Sequence, residues 1–486
     1  MTGPAAPAAP PTATSPEPVG RVVMFVTNTV THDSRVLREA STLRDAGWEV
    51  TIVGRLPAGE RDLAVREEHR GLSIIRVPQP IGWLTAWRHR IALLRYPWRG
   101  RQEIAASLRR DIRGGGRGLL RVAGRVVGLV VGLPWLGYRL IDRYAFGDRL
   151  PTPRRQGTIE WLLWWRRSAM GWAVAAVDAV PLADVYHGHD MTGLAAAARA
   201  GRIHGRKVVY DSHEIYLDAG SNAARPRWAK VIVGAVERRW ARRATALVTV
   251  NHAYAGVLEQ RFGRRGFVVV HNCPPRWTPE PGPDRLRAAA GIGPSERVVL
   301  YHGLFGRDRG IEQLAEAMLQ PGLEAAHLVL LGYGPLEPAL QALSGEPRFG
   351  GRVHIVAAVP PDSLLGWIAT ADVNAVPLQP TTLNHRLCTP NKLFESIAAG
   401  VPVVVSDFPV MHDMVMGDPA GPLGAVCDPA SPASIASAIR SILERPDEER
   451  SALRARCRLA AGERWNWETE SQQLLSLYES LVPAVS

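Results

Sequence analysis

A chain of 486 residues, 46% hydrophobic and 21% charged, is too long for one compact domain and suits two or three with sizeable cores. Four scattered cysteines, Cys273, Cys388, Cys427 and Cys457, have neither metal-ligand spacing nor a disulfide framework, which excludes a disulfide-stapled scaffold and fits a reducing cytosol. The net charge of +12 would usually point to nucleic acid, but residues 81–170 hold 18 arginines against five acids, a net of +13, leaving −1 for the rest of the chain.

In chain order, residues 1–20 open on the Pro/Ala-rich "MTGPAAPAAPPTATSPEP", which lacks the charged start and apolar core of a signal peptide and predicts a disordered tail. "RVVMFVTN", the turn "TVTHD", "SRVLREASTLRDAG" and "WEVTIVG" read as strand, loop, helix and strand, the opening of a parallel doubly wound sheet, and "GLSIIRV" adds a strand. Residues 81–170 interrupt this pattern with the arginine-rich stretch, which also carries seven of the fifteen tryptophans. Arginine stems beside interfacial indoles suit a segment lying in an anionic lipid headgroup layer. Its most apolar part, "VAGRVVGLVVGLPWLGYRL", is interrupted by Arg125 and Pro134, so a monotopic insertion is expected rather than a spanning hairpin. A solvated helical insertion is the plainer alternative, and no nucleic-acid motif accompanies the charge.

The alternation resumes with "ADVYHGHD", "KVVYDSHE", "ALVTVN" and "GFVVVHNCP", each strand followed by a helical or polar stretch. The Pro-rich "PPRWTPEPGPDR" then marks a boundary between a first domain, 21–275, and a second, 276–465. The second repeats the pattern through "RVVLYHG", "HLVLLGYG", "RVHIV", "DVNAVPL" and "TPNKLFESIAAGVPVVVSD". Residues 466–486 form a last helix that can fold back to the first domain. Two Rossmann-like domains therefore face each other across a cleft, with polar residues gathered at the carboxyl ends of the strands.

Together, "YHGLFGRDRGIEQL", "VLLGYGP", "TPNKLFESIAAGVPVVVSD" and "GAVCDPASPASIASAI" have the order and spacing of the nucleotide-sugar domain of retaining, family-4-type glycosyltransferases with the GT-B fold. "TNTVTHDSRVLREASTLRDAGWEV", "DVYHGHD" and "VVYDSHE" resemble the acceptor-side domain of that family. The resemblance covers nearly everything from 21 to 480 except the basic insertion. It implies transfer of a sugar, with retention, from a UDP- or GDP-sugar to a lipid-linked or glycan acceptor. The chain is then expected peripherally on an anionic membrane surface at the cytoplasmic face, with no cofactor, no metal and no nucleic acid. A nucleotide-sugar epimerase, a phosphorylase or a non-catalytic membrane scaffold are the alternatives on the same fold.

The residues support this reading in their own terms. A nucleotide diphosphate sugar needs cationic or amide donors for its pyrophosphate and an acceptor for its ribose hydroxyls. Arg309 precedes Gly310 at a helix start, Gly303 allows close backbone approach, and Gly332 and Gly334 shape a turn after a strand. In the helix announced by Thr389 as N-cap and Pro390 at the first position, with Gly400 as its stop, Lys392 can meet phosphate and Glu395 ribose; the alternative is a surface ion pair. By resemblance Glu395 is the second of two family glutamates, and Leu387 stands at the first. Leu304 replaces a usual arginine, for which Arg307 or Lys392 can substitute. On the facing wall, His187 and His189 lie at period two, and His189 is by resemblance the contact to the donor sugar near the reacting carbon. Asp211, His213 and Glu214 can bind acceptor hydroxyls or cap the next helix. Asp33, Ser34 and Arg35 open the first helix on the acceptor side, where Ser34 can serve as a cap.

Overall fold

The computed structural model describes residues 18–31, 33–57, 63–78, 158–280 and 282–481. The expected tail up to residue 17 and most of the basic insertion, 79–157, lie outside them. Among the described residues, no helix is long and apolar enough to cross a membrane.

The first domain is built on eight strands: β1 (Gly20–Phe25), β2 (Trp48–Leu56), β3 (Arg66–His69), β4 (Leu72–Pro78), β5 (Val185–His189), β6 (Lys207–Ser212), β7 (Ala246–Thr249) and β8 (Phe267–Val269), in the order β3-β4-β2-β1-β5-β6-β7-β8. All neighbours are parallel except β3 and β4. Runs such as Val22–Phe25 are apolar on consecutive residues because helices cover both faces of the sheet. The polar strand β3, "REEH", has no such run and escapes sequence reading; it is a four-residue edge.

Six strands make the second sheet: β9 (Arg297–Leu304), β10 (Ala326–Tyr333), β11 (Val353–Ala357), β12 (Val373–Val376), β13 (Val403–Ser406) and β14 (Gly424–Cys427). Their order is β11-β10-β9-β12-β13-β14, all parallel. In each sheet the order reverses at the first strand, β1 or β9, and the crevice beside that strand opens toward the other domain.

The helix Trp467–Leu481 leaves the second domain and packs on the first sheet. Its Trp467, Leu474, Tyr478 and Leu481 share a core with Val22, Met24 and Ile52. Trp467 Nε1 donates to Thr42 Oγ1 at 2.8 Å, and Lys207 Nζ reaches the Leu481 carbonyl.

The end of the 81–170 segment departs from expectation. Thr158–Trp165 is an α-helix that continues through a π-helical stretch, Arg166–Gly171, into the helix Trp172–Asp178. Trp161 and Trp165 are buried against Met191, Leu217, Ala229 and Val233. These two indoles serve the core of the first domain, because apolar partners close over them, and are not available to lipid.

Candidate active site

The first wall of the cleft is set by strand register. β5 and β6 run parallel with His189 opposite Asp211, so both side chains emerge at the same level. Asp211 is fully buried and accepts two bonds from Arg35, Nε to Oδ2 at 3.0 Å and Nη2 to Oδ1 at 3.1 Å. It also accepts from His213 Nε2 at 2.9 Å. Asp190 turns the chain at φ +54°, and its Oδ1 accepts the His213 backbone N–H at 3.0 Å. Burial opposes charge on His213, but the carboxylates of Asp211 and Asp190 overcome it and raise its pKa to about 10. His213 is therefore an imidazolium at neutral pH.

His189 is the opposite case. Burial holds its pKa below the ordinary value, and so the ring stays neutral. Its Nδ1 lies 3.2 Å from His213 Nε2 and 3.4 Å from Asp211 Oδ2, while Nε2 has no protein partner. With Nδ1–H turned to Asp211, Nε2 is an acceptor for a hydroxyl. His187 stacks on His189 with ring centres 4.3 Å apart; its Nδ1 is 2.9 Å from the Tyr478 hydroxyl and its Nε2 is unpartnered. Both rings have 0% exposure, so His213 reaches the cleft cavity while His189 and His187 lie behind it.

Glu39, His187, His189 and Asp211 bring atoms that could hold an ion within 4.8 Å of one another. Arg35 already lies against both acids, 2.9 Å from Glu39 Oε1 and 3.0 Å from Asp211 Oδ2. Burial, only partly offset by Arg35, raises Glu39 to about 8. Near neutral pH the cluster thus presents one carboxylate and a built-in cation, a poor donor set for a divalent ion.

Asp33, Ser34 and Arg35 follow β1 and line a cavity of about 360 Å³ with His213, Cys388 and Asn391. Asp33, rather than Ser34, caps the helix Ser34–Asp45: its Oδ1 accepts from Val36 N at 3.1 Å and its Oδ2 from Asn28 Nδ2 at 2.6 Å. Glu214 is half-buried, and burial together with Asp190 raises it to about 8.

On the second wall, the helix Asn391–Ala398 starts one residue later than expected. Pro390 occupies the N-cap position and Thr389 turns away, its Oγ1 3.4 Å from Asn251 Nδ2 across the cleft. Glu395 Oε2 meets His302 Nε2 at 2.9 Å. The support continues from His302 Nδ1 to Asn374 Oδ1 at 3.3 Å, and from Asn374 Nδ2 to Ser396 Oγ at 2.7 Å. Burial works against charge on Glu395, yet the bond to His302 holds its pKa below the usual carboxylate value. One turn earlier, Lys392 Nζ sits 5.1 Å from the centre of the Tyr301 ring, a cation–π distance. Burial, with Arg309 adding to it, lowers Lys392 to about 8.

Gly303 has φ +101°, and a Cβ there would stand 2.8 Å from Lys392 Nζ, so glycine keeps room for the ammonium. A Cβ on Gly332 would stand 2.0 Å from the Gly303 carbonyl oxygen, and Gly310 and Gly334 press equally on the backbones of Pro377 and Phe305. These three glycines allow backbones to pack at the strand ends. Arg309 is half-buried and its charge is felt by Lys392, His385, Cys388 and Glu214, which places it at the cleft; Arg307 is exposed.

The segment around Leu387 is stitched to the first domain. Asn251 Nδ2 donates to the Leu387 carbonyl at 2.9 Å, Ile215 N to Asn384 Oδ1 at 2.8 Å, and the Tyr254 hydroxyl to the Asn384 carbonyl at 2.8 Å. Five supporting residues were given no role at the site by the sequence: His302 and Asn251, legible only as polar residues at strand ends, together with Glu39, Tyr478 and Arg38, whose guanidinium reaches Asn272 Oδ1. His302 carries a signal, because it immediately precedes Gly303 at a strand end. Arg38 and Glu39 lie three and four positions after Arg35, on the same helix face. Tyr478, 291 residues from His187, carries no local signal.

Two α/β domains, reversing strand order at a shared cleft and joined by a returning C-terminal helix, define a protein of the GT-B fold. Residues 296–445 match the family described as "Glycosyl transferases group 1", and 129–273 match "Glycosyltransferase Family 4". Each match covers less than half of the chain, one in each domain, and with the relatives that follow they support a family-4-type glycosyltransferase. A GDP-mannose-dependent alpha-(1-6)-phosphatidylinositol dimannoside mannosyltransferase of Mycobacterium tuberculosis (strain ATCC 25177 / H37Ra) is 27% identical over 327 residues, 64% of this chain and 77% of that protein. Glycogen synthase of Mycobacterium tuberculosis (strain CDC 1551 / Oshkosh) is 25% identical over 308 residues, 61% of this chain and 68% of the enzyme. Among solved structures, sucrose-phosphate synthase from Thermosynechococcus elongatus superposes with a TM-score of 0.60 at 17% identity, covering 95% of this chain and 98% of that one. Anabaena HepE in complex with UDP and glucose superposes at 0.58 with 14% identity, covering 95% of this chain and all of that one.

Proposed function

We propose that the protein transfers a sugar, with retained anomeric configuration, from a UDP- or GDP-sugar to a lipid-linked or glycan acceptor at the cytoplasmic face of a membrane. The observation that carries the donor half is the pairing of Lys392 and Glu395 on one helical turn at the cleft. A cation is held over Tyr301 beside Gly303, and an ionised carboxylate is braced by His302. Such a pair offers a cation to a diphosphate and a carboxylate to a ribose diol, with Arg309 adding positive charge and Arg307 within the same loop. In this reading, the basic side chains and helix termini stabilise the leaving diphosphate without a metal ion. Gly303, Gly310, Gly332 and Gly334 shape the backbone around it.

The donor sugar then presses on the wall that His213 presents to the cleft, with His189 and His187 buried behind it as its support; a rearrangement on donor binding is what would bring His189 Nε2 to a sugar hydroxyl. Asp33, Ser34 and Arg35, with Asp211, His213 and Glu214, form the acceptor side; Asp211 acts by holding His213 charged, and Arg35 by holding Asp211 in place. The mannosyltransferase relative, whose name gives GDP-mannose and a phosphatidylinositol dimannoside, supports both a GDP-sugar and a lipid acceptor.

A thermal-shift panel of UDP- and GDP-sugars, run with and without EDTA, tests this reading. One nucleotide series should raise the melting temperature whether or not chelator is present, and Glu395→Ala should abolish the rise while still melting cooperatively. No shift with any nucleotide sugar, or an unchanged shift in the variant, would sink the assignment.

A further inference from the structure

The helix Arg227–Ala241 follows the loop that leaves β6 at His213, so its first turn stands on the cleft side of the first domain. Its inner face is made by Ala229, Val233, Glu237 and Ala241, all buried. The outer face has two halves. Toward the cleft it presents Trp228, Val231 and Ile232, exposed by 51%, 68% and 50%. Away from the cleft, Arg238, Arg239, Arg242 and Arg243 line a surface groove with Ala235. At 1.5 Å per residue the whole face is about 22 Å long.

Among the described residues, no acid pairs with the outer arginines of this helix. The helix's one carboxylate, Glu237, points inward and accepts from the Tyr210 hydroxyl at 2.7 Å. The nearby Asp218 is occupied by Lys230 at 3.0 Å and by Arg261. Arg238 Nε bonds the Phe262 carbonyl at 3.2 Å, which fixes its stem. A solvated face would mix charge signs, and although tryptophan and arginine also serve protein interfaces, an acid-free run of arginines beside the apolar end suits a surface of repeated phosphates. An exposed apolar end containing tryptophan, followed by cations and free of acids, matches a headgroup layer. The apolar end enters the acyl boundary and the guanidinium groups meet lipid phosphates. The chain that returns from the arginine-rich stretch also enters the fold here, since Trp165 lies 6.4 Å from Trp240 of this helix.

We infer that the outer face of the helix Arg227–Ala241 is a docking surface for an anionic phospholipid bilayer, holding the cleft mouth against the lipid. The inference deepens the membrane-acceptor reading above and rests on it for its occupant. The full chain should co-float with vesicles of equal parts phosphatidylglycerol and phosphatidylcholine, and far less with phosphatidylcholine alone. Two triple variants divide the face: Trp228→Ser with Val231→Ser and Ile232→Ser, and Arg239→Glu with Arg242→Glu and Arg243→Glu. Each should lower partitioning at least about tenfold, since every arginine near an anionic surface contributes a factor of about five. Both should keep the wild-type melting temperature and its rise with nucleotide sugar.

Partitioning of both variants within a factor of about two of wild type would overturn the surface, as would a wild type that ignores lipid charge. Sedimentation velocity adds a further arm: a wild-type dimer lost in the serine variant, with lipid partitioning unchanged, would reassign the face to self-association and so overturn the inference. If lipid binding depends on the face but no nucleotide sugar shifts the melt, the glycosyltransfer assignment fails and the surface stands.

Discussion

At the scale of single residues, the cleft is a set of charges held against their ordinary preferences. Lys392 has a folded-state pKa of about 8 against 10.5 when unperturbed, so between those values the unfolded chain binds the extra proton. Stability of the free protein should therefore rise with pH through that window. Nucleotide-sugar affinity should fall over the same window, because the ammonium that meets the diphosphate is lost. Denaturant melts and calorimetric titration between pH 7 and 10 check the two opposite slopes, and parallel slopes would remove Lys392 from the phosphate site. Arg35 poses a different question, being the buried counter-charge to Asp211 and a neighbour of the protonated Glu39. Arg35→Met leaves Asp211 buried beside weaker partners and should cost about 3–5 kcal/mol in urea unfolding. A loss below about 1 kcal/mol would mean that His213 alone satisfies Asp211.

Elements explain what could be read from the sequence and what could not. The strands β1, β2, β5, β6, β9 and β10 were legible because a parallel sheet covered on both faces demands unbroken apolar runs. Their polar ends, His189, His213 and Gly303, fell at the cleft because each strand points its carboxyl end there. β3 was missed because an edge strand needs no apolar run. The start of the helix Asn391–Ala398 was misplaced by one residue because Thr389, a good cap in isolation, bonds Asn251 of the other domain. Trp161 and Trp165 looked interfacial by composition, and only the neighbouring helices Asp190–His204 and Arg227–Ala241 reveal that they are core. Lys392 and Glu395 were legible as a pair, whereas the ring that braces Glu395 was visible only as a histidine at a strand end. Local pattern thus identified groups facing the cleft, and tertiary contact decided which of them are held rigid.

At the scale of the whole molecule, the last helix ties the two domains into one structure. Removing everything after Asn466 would strip Trp467, Leu474, Tyr478 and Leu481 from the first core. At about 1.5–3 kcal/mol for each large buried side chain, the loss approaches the entire stability of a typical domain, about 5–15 kcal/mol. The truncated chain should lose near-ultraviolet circular dichroism and the cooperative melt of its first domain. Tyr478→Phe, which deletes only the hydroxyl beside His187, should cost about 1 kcal/mol and leave the fold intact. A truncated chain that melts like the full-length protein would show that the helix is an accessory.

The same helix sets an order on synthesis. β8 ends at Val269, and the helix that completes the β1–β2 core begins at Trp467. At about 5–20 residues per second, a ribosome needs roughly 10–40 s to bridge that interval, during which the first sheet has part of one face uncovered, beside the helix Ser34–Asp45, while the second domain is made and folds. His187 and its stacked neighbour His189 gain their backing from Tyr478 only then. The wall of the cleft that is synthesised first is thus among the last parts of the protein to become rigid, and a chaperone guarding the nascent chain would find exposed apolar surface there.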